Sequence, residues 1–181
     1  MRSIVRFVLR LWGWEIIEMP PHNIAKAVVV MAPHTSNWDF VIGRLAFFLM
    51  RIKGRFLIKK ELFFFPLNIV LRALGALPVD RGQANNMIST SVNLFNKHEH
   101  LYLVFTPEGT RSANGKWKKG FFYIAKEAKV PIVLAYIDYA NKKGGFHGVF
   151  SSTGDVSTDI QEIKKQLADY KGKYAENGII F

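Results

Sequence analysis

The chain has 181 residues and no cysteine, and its 25 lysine and arginine residues outnumber its 14 aspartate and glutamate residues, for a formal net charge of +11. That length suits a single domain with its own core, and an apolar share of 49% argues against intrinsic disorder. Without cysteine there can be no disulfide, cysteine nucleophile or thiolate metal site. The charge indicates an anionic partner: a nucleic acid, an anionic bilayer or a phosphorylated substrate.

Residues 1–20 predict an N-terminal amphipathic helix that lies in a membrane interface. Arg2, Arg6 and Arg10 recur at four-residue spacing on one side, and aliphatic residues and tryptophan surround the rest. A terminal helix packed on the core would show the same pattern, so both interpretations stay open. Pro20 and its proline neighbour end the predicted helix.

The apolar runs do not predict a membrane span. Such a span needs ~20 largely apolar residues, but arginines interrupt the N-terminal run, and Arg44 interrupts the run at 40–50. No small-residue cleavage site follows the first run, so a signal peptide is not expected either. We therefore expect peripheral association with a membrane surface, on its cytoplasmic face.

Strands and helices alternate along the rest of the chain. Short β-branched or aromatic runs predict five strands, at residues 27–32, 54–59, 76–79, 101–105 and 130–136. Helical patterns lie between and after them, at 38–52, 66–74, 84–97, 120–129 and 158–171, with Ser157 or Thr158 as the expected cap of the last. This order predicts one α/β domain with a mixed, mostly parallel sheet flanked by helices.

The polar runs of this sequence follow the predicted strands. His34, Lys59, Arg81 and Glu108 each lie just past the carboxyl end of a strand. Open α/β sheets bind ligands at those ends, so we expect the four segments to converge on one site.

His34 and Asp39 are a possible base and a carboxylate that could orient it. On a continuous helix, five residues would leave the two side chains ~140° apart and out of contact. If His34 lies in a loop and Ser36 or Asn37 caps the helix, Asp39 falls in the first turn and can fold back. An aspartate bonded to one ring nitrogen fixes the tautomer and leaves the other nitrogen able to accept a proton. The same pair could also be purely structural.

A second run, at residues 105–112, offers groups suited to an anion. Gly109 allows close backbone approach, Thr110 supplies a hydroxyl, and Arg111 has a planar guanidinium that matches phosphate. An ordinary turn with a surface arginine is the alternative. The position after a strand and the presence of the first run favour function.

Four blocks of this sequence resemble those of the glycerolipid acyltransferase family, which includes lysophosphatidic acid acyltransferases. The family's His-x4-Asp motif is matched by His34 and Asp39. Its other three blocks resemble, in order, the residues at 75–81, 105–112 and 130–133.

The resemblance spans residues 27–137, the motif-bearing core of one acyltransferase domain covering 1–181. Two positions depart from the family pattern: Pro33 stands where many members have asparagine, and Leu134 replaces a proline. Neither removes a group from the proposed dyad, but both suggest a subfamily whose acceptor differs.

The resemblance implies a fold similar to glycerol-3-phosphate acyltransferase and a role for each motif residue. His34 would be the general base on the acceptor hydroxyl, and Asp39 would hold its imidazole. The residues implied to bind the acceptor phosphate and shape its pocket are Arg81, Glu108, Gly109, Thr110 and Arg111. Possible further contacts to the donor or acceptor are Lys59, Lys60 and Lys119, which could equally be solvated surface lysines.

The expected reaction is transfer of a fatty acyl group from acyl-CoA or acyl carrier protein to a lysophospholipid, most simply lysophosphatidic acid to phosphatidic acid. Without cysteine or a Gly-x-Ser-x-Gly elbow, direct transfer is expected, with no acyl-enzyme. No metal, cofactor or nucleic-acid partner is expected, whereas an anionic membrane surface is. The alternatives are another lyso-lipid acceptor, such as a lyso-aminolipid, and a non-enzymatic basic module.

Overall fold

The computed structural model describes residues 1–17, 23–80 and 84–181. Within them, the helices are α1 Arg2–Leu11, α2 Trp38–Met50, α3 Leu67–Ala73, α4 Ala84–Lys97, α5 Gly120–Ala128 and α6 Val156–Leu167. The strands are β1 Glu15–Ile16, β2 Lys26–Met31, β3 Gly54–Lys59, β4 Ala76–Val79, β5 Leu101–Phe105, β6 Ile132–Asp138 and β7 Lys143–Phe150. Two 3-10 turns cover Lys60–Leu62 and Ala175–Asn177.

The seven strands form one sheet in the order β1-β7-β6-β2-β5-β3-β4. All pairings are parallel except that of β6 with β7. The prediction of a single α/β domain with a mixed, mostly parallel sheet and an N-terminal helix is confirmed. Because β2 to β6 run parallel, their carboxyl ends share one edge of the sheet, the edge at which such sheets bind ligands.

The central strand β2 is buried on both faces, and its residues alternate between two cores. Val28 and Val30 belong to the core under α4, α5 and α6, whereas Ala27 and Val29 belong to the core under α1 and α2. The β3–α3–β4 connection moves across the sheet in the same direction as the β2–α2–β3 connection. Because such connections are right-handed, α3 lies on the same face of the sheet as α2. The strand that leads to His34 is therefore the most enclosed part of the sheet.

The sequence did not predict β1 or β7. β7 contains three glycines, at 144, 145 and 148, which lower β propensity and are typical of a loop. It forms because a short turn after Asp138 returns the chain antiparallel to β6, pairing Lys143 with Asp138 and Phe150 with Ile132. β1 has two residues and pairs only with β7.

The N-terminal helix is shorter than predicted. α1 ends at Leu11 because Gly13 adopts a positive φ of 79°, a conformation that a helix cannot continue through. The chain then enters β1 at Glu15. Pro20, which was expected to end the helix, lies outside the described residues.

The cap of α6 also differs from the prediction. Asp155 caps this helix, accepting a hydrogen bond from the backbone N–H of Thr158 at 2.7 Å. Ser157 and Thr158 were each expected to be the cap, but both lie inside the first turn. Asp, Ser and Thr are all favoured caps, so the sequence alone did not determine which of the three begins the helix.

Candidate active site

The loop between β2 and α2 holds His34 at the carboxyl edge of the sheet. The Oγ of Ser36 accepts a hydrogen bond from the backbone N–H of Trp38 at 3.2 Å, and the Ser36 carbonyl accepts one from Asp39, also at 3.2 Å. These bonds begin α2 at Trp38. Asp39 therefore lies in the first helical turn, where its side chain folds back over the loop.

The carboxylate of Asp39 accepts four hydrogen bonds. Its Oδ2 lies 2.9 Å from His34 Nδ1, 2.9 Å from the Thr35 N–H nitrogen and 3.0 Å from that of Ser36. Its Oδ1 accepts from the hydroxyl of Tyr139 at 2.7 Å. Asp39 is only 1% exposed, so these donors replace the water that a buried carboxylate has lost.

This arrangement assigns the tautomer of His34. Asp39 Oδ2 already accepts from two backbone N–H groups, so it acts as an acceptor toward the ring, and Nδ1 carries the hydrogen. In the neutral imidazole, Nε2 then has the free lone pair. The His34 side chain keeps 21% of its surface exposed, so a substrate can approach it.

Glu108 lies buried beneath the histidine. Its Oε1 accepts a hydrogen bond from the backbone N–H of His34 at 3.1 Å, and its Oε2 has no partner within the described part of the chain. Burial raises the pKa of the Glu108 carboxyl to about 7, although the hydrogen bonds to it and nearby His34 act in the opposite direction. A 5% exposed carboxyl bonded to the histidine backbone favours a role in holding His34 over direct contact with a phosphate.

The loop after Glu108 brings Arg111 to the start of α2. Gly109 turns the chain with a φ of 68° and donates its N–H to the carbonyl of Thr106 at 3.1 Å. Arg111 Nη1 then donates to the side-chain carbonyl of Asn37, two residues before Asp39. The guanidinium thus lies beside the dyad. The hydroxyl of Thr110 accepts from Ser112 N–H within the loop at 3.3 Å.

The predicted lysines are placed differently from one another. Lys59 is exposed at the end of β3, and Lys60 Nζ pairs with Asp80 Oδ2 at 2.7 Å on the surface. Lys119 lies before α5 and contributes in small part to the lowered pKa of Asp155, which is due chiefly to the hydrogen bonds from Thr158.

No hydrogen bond or ion pair within residues 1–17, 23–80 and 84–181 joins Lys119 to His34. Arg81 lies outside the described residues. The structure therefore brings together His34, Asp39, Glu108 and Arg111, and leaves the three lysines outside their hydrogen-bond network.

A C-terminal strap, defined as residues 171–174, packs against the loop between β2 and α2. The backbone N–H of Tyr174 donates to Thr35 Oγ1 at 3.2 Å, and that of Tyr139 donates to the Lys171 carbonyl at 2.8 Å. A Cβ on Gly172 would lie 2.4 Å from Thr35 Cγ2, so only glycine allows this approach. The strap thus holds the side chain of Thr35, the residue next to His34.

Sequence reasoning missed Tyr139 and Asn37, which contact the predicted site residues directly. Tyr139 follows the carboxyl end of β6, so the strand-end rule that selected the other segments would have found it if applied to the last parallel strand. Asn37 was considered only as a helix cap, whereas its side chain makes no capping bond and instead binds Arg111.

These residues define a recognisable class of site. A His–Asp pair lies at the end of the central strand of an α/β sheet, beside a loop that carries an arginine. Residues 16–138 match the family model described as Acyltransferase, and the chain belongs to that family. The segment matched includes His34, Asp39, Glu108 and Arg111.

The chain is similar to a human protein in sequence and to a bacterial protein in structure. Human 1-acyl-sn-glycerol-3-phosphate acyltransferase beta is 29% identical over 110 residues, which cover 58% of this chain and 40% of the relative. The chain thus matches less than half of that protein's length. The crystal structure of the 1-acyl-sn-glycerophosphate (LPA) acyltransferase PlsC from Thermotoga maritima has a TM-score of 0.57 at 18% identity, covering 91% of this chain and 75% of that one. This likeness shows the fold.

The raised pKa of Glu108 predicts a pH-dependent stability. In the unfolded chain the carboxyl ionises near pH 4.5, and in the folded protein only near pH 7. The contribution of this carboxyl to the free energy of unfolding is complete below its pKa in the unfolded chain. It is lost as the pH rises through its pKa in the folded protein. Between pH 5 and 8, the wild type should lose about 2 to 3 kcal/mol of unfolding free energy that Glu108→Gln retains. Urea denaturation at both pH values measures this loss.

The matched control is Glu127→Gln, because Glu127 is exposed on α5. It should keep the wild-type pH dependence. An equal loss of stability in the wild type and in Glu108→Gln would show that Glu108 is not the linked group.

Proposed function

We propose that this protein transfers a fatty acyl group from the thioester of acyl-CoA or acyl carrier protein to the free hydroxyl of a lysophospholipid, with lysophosphatidic acid as the preferred acceptor. The main support is the partly exposed imidazole of His34, whose Nδ1–H is held by buried Asp39 and whose Nε2 has a free lone pair. Arg111 beside it suits a phosphate-bearing acceptor. The two relatives compared are named for acyl transfer to 1-acyl-glycerol-3-phosphate.

In the proposed reaction, His34 Nε2 takes the proton of the acceptor hydroxyl as the oxygen attacks the thioester carbonyl. The carbon–sulfur bond breaks, the ester forms, and the proton passes from the imidazolium to the departing thiolate. Asp39 stabilises the imidazolium while it exists. The chain has no cysteine and no Gly-x-Ser-x-Gly elbow, which supports direct transfer. The acyl donor is a co-substrate, and the mechanism needs no metal or cofactor.

The acceptor phosphate is assigned to the arginine loop. Arg111 is already positioned through Asn37 in the turn that carries Asp39, so a phosphate held there would direct the rest of the acceptor toward His34. Arg81 is proposed as a second phosphate ligand from the family block at 75–81. Gly109 and Thr110 would shape the pocket. Lys59, exposed at the carboxyl end of β3, would offer a further contact, whereas Lys60 pairs with Asp80.

A membrane is the natural source of both a lysophospholipid and a binding surface. Within the described residues, no helix has both the length and the hydrophobicity needed to cross a bilayer. Exposed large apolar side chains nevertheless concentrate on the face with α1, α2 and α3. They are Ile4, Phe7, Leu11, Trp12, Trp38, Val41, Phe48, Leu62, Phe64, Phe65, Ile69 and Val70.

Such a surface costs free energy in water, about 1.5–3 kcal/mol for each large side chain that could be buried, and marks a binding face. α1 packs on α2 through Leu9, which is 1% exposed, yet leaves Ile4, Phe7 and Leu11 uncovered beside exposed Arg6 and Arg10. One side of the N-terminal helix therefore packs on the core, and the other side is exposed as an interfacial helix requires. We propose that this face lies on the anionic cytoplasmic surface of a membrane, with the arginines near the head groups.

Replacing His34 tests the proposed reaction. His34→Gln should reduce kcat for acyl transfer to lysophosphatidic acid by about 10²–10⁴-fold, the usual contribution of a general base. The measurement is phosphatidic acid formed from labelled acyl-CoA or acyl carrier protein.

His100→Gln is the matched control, because exposed His100 lies before β5, at the opposite edge of the sheet. It should retain wild-type kcat. Full activity of His34→Gln would contradict the dyad mechanism, and no transfer by the wild type to any lysophospholipid would contradict the proposed function.

Exposed apolar side chains of α1 provide a test of membrane binding. The double variant Phe7→Ser, Leu11→Ser should lose most of its sedimentation with vesicles that contain phosphatidylglycerol, because it removes apolar contact without touching the core. Its melting temperature should stay near that of the wild type, because both side chains are more than 60% exposed.

Tyr123→Ser changes an exposed aromatic residue on α5, which packs on the opposite face of the sheet, and should sediment like the wild type. Equal loss of binding in both variants would mean that general hydrophobicity, and not this face, binds the vesicles.

A further inference from the structure

Tyr139 makes a direct hydrogen bond to the buried aspartate of the dyad. Its hydroxyl donates to Asp39 Oδ1 at 2.7 Å, while Oδ2 of the same carboxylate faces His34 and two backbone N–H groups. Tyr139 follows β6, one position beyond the segment 16–138 that matches the family model. Within the described residues, the hydrogen bond from Tyr139 is the one that Asp39 Oδ1 accepts. The orientation of the carboxylate therefore depends on this bond.

The position of Tyr139 is itself fixed from three directions. Its ring packs edge-on against Trp14, with 4.9 Å between ring centroids. Its backbone N–H donates to the Lys171 carbonyl at 2.8 Å, and the N–H of Lys171 donates in return to Asp138 Oδ1 at 3.2 Å. The hydroxyl therefore has little freedom to leave Asp39, because Trp14 packs on the ring and Lys171 binds the backbone of Tyr139 and the side chain of Asp138.

We propose that Tyr139 is a positioning residue for acyl transfer: by occupying Asp39 Oδ1, its hydroxyl keeps Oδ2 directed at His34 Nδ1, and so keeps Nε2 directed at the acceptor hydroxyl. This inference rests on the function proposed above. Without the phenol, Oδ1 would be a buried charged oxygen with no donor, and the carboxylate would gain by rotating toward the remaining N–H groups.

The phenol remains a donor at neutral pH. Burial, and then the hydrogen bond and the charge of Asp39, raise the pKa of Tyr139 above its ordinary value, and Tyr174 adds to this in small part. The ionisable groups that act on this pKa are Asp39 and Tyr174. Two backbone N–H groups already donate to the Asp39 carboxylate, so the Tyr139 hydroxyl is the donor in this bond.

The test is Tyr139→Phe, which removes one oxygen atom and keeps the ring against Trp14. It should lower kcat for acyl transfer by about tenfold to a hundredfold, because the base is less well oriented in the transition state. The KM values for the lysophospholipid and the acyl donor should stay within about twofold, because Tyr139 is proposed to touch neither substrate.

Tyr102→Phe is the matched control. The hydroxyl of Tyr102 donates to the Ile24 carbonyl, also at 2.7 Å. Tyr102 belongs to the core on the α2 face, and partly buried Tyr139 packs against the same core. Tyr102→Phe therefore removes a hydrogen bond of the same length from the same core, away from the dyad. Both variants should lose similar amounts of thermal stability, but Tyr102→Phe should keep wild-type kcat.

A spectroscopic measurement tests the coupling without any assay of activity. The His34 Nδ1–H should give a downfield proton NMR signal protected from exchange in the wild type and in Tyr102→Phe, and should shift or exchange faster in Tyr139→Phe. Equal kcat losses in the two tyrosine variants, or an unchanged His34 signal in Tyr139→Phe, would overturn the proposal. If the wild type transfers no acyl group, the proposed function fails, while the NMR comparison still decides whether Tyr139 orients the dyad.

Discussion

A carboxylate that has almost no contact with water must find donors for both of its oxygens, and at Asp39 this requirement organises the site. Two backbone N–H groups of the loop 35–36 bind Oδ2 and so determine the path of the chain past His34. The same oxygen holds Nδ1 of the imidazole. Tyr139 completes the set from a strand that is distant in sequence. The loop conformation, the tautomer of the histidine and the packing of the strand end therefore depend on one charged group.

The sheet explains why such distant residues meet. β2, β5 and β6 are adjacent and parallel, so His34, Glu108 and Tyr139 all lie beyond carboxyl ends on the same edge. Glu108 accepts a hydrogen bond from the backbone N–H of His34, and Arg111, on the same loop as Glu108, donates to the side chain of Asn37. The C-terminal strap then contacts Thr35, the residue after His34. Strand order thus brings His34 and Asp39, which share the segment after β2, together with Arg111 on the segment after β5.

Much of this fold and part of the site could be predicted from the sequence. The five parallel strands are short, continuous apolar runs, a strong signal for strands buried on both faces. β7 could not be predicted, because its glycines lower its β propensity. Its pairing with β6 depends on the turn that joins the two strands. His34 was found because it follows a strand end, Asp39 because it falls in the first turn of the next helix, and Arg111 because it lies in a glycine-containing loop after another strand. The burial of Glu108 was missed, since an acidic residue in a polar loop is usually solvated, and only the three-dimensional position of His34 explains why it is enclosed.

In the proposed reaction, His34 Nε2 receives the proton of a lysophospholipid hydroxyl whose phosphate lies on Arg111. A crystal structure of the protein with bound 1-acyl-glycerol-3-phosphate tests this most directly. We expect the free hydroxyl oxygen within hydrogen-bond reach of Nε2, about 2.6–3.2 Å, and the phosphate in contact with the Arg111 guanidinium. A bound acceptor whose hydroxyl points away from His34, with its phosphate remote from Arg111, would contradict the account.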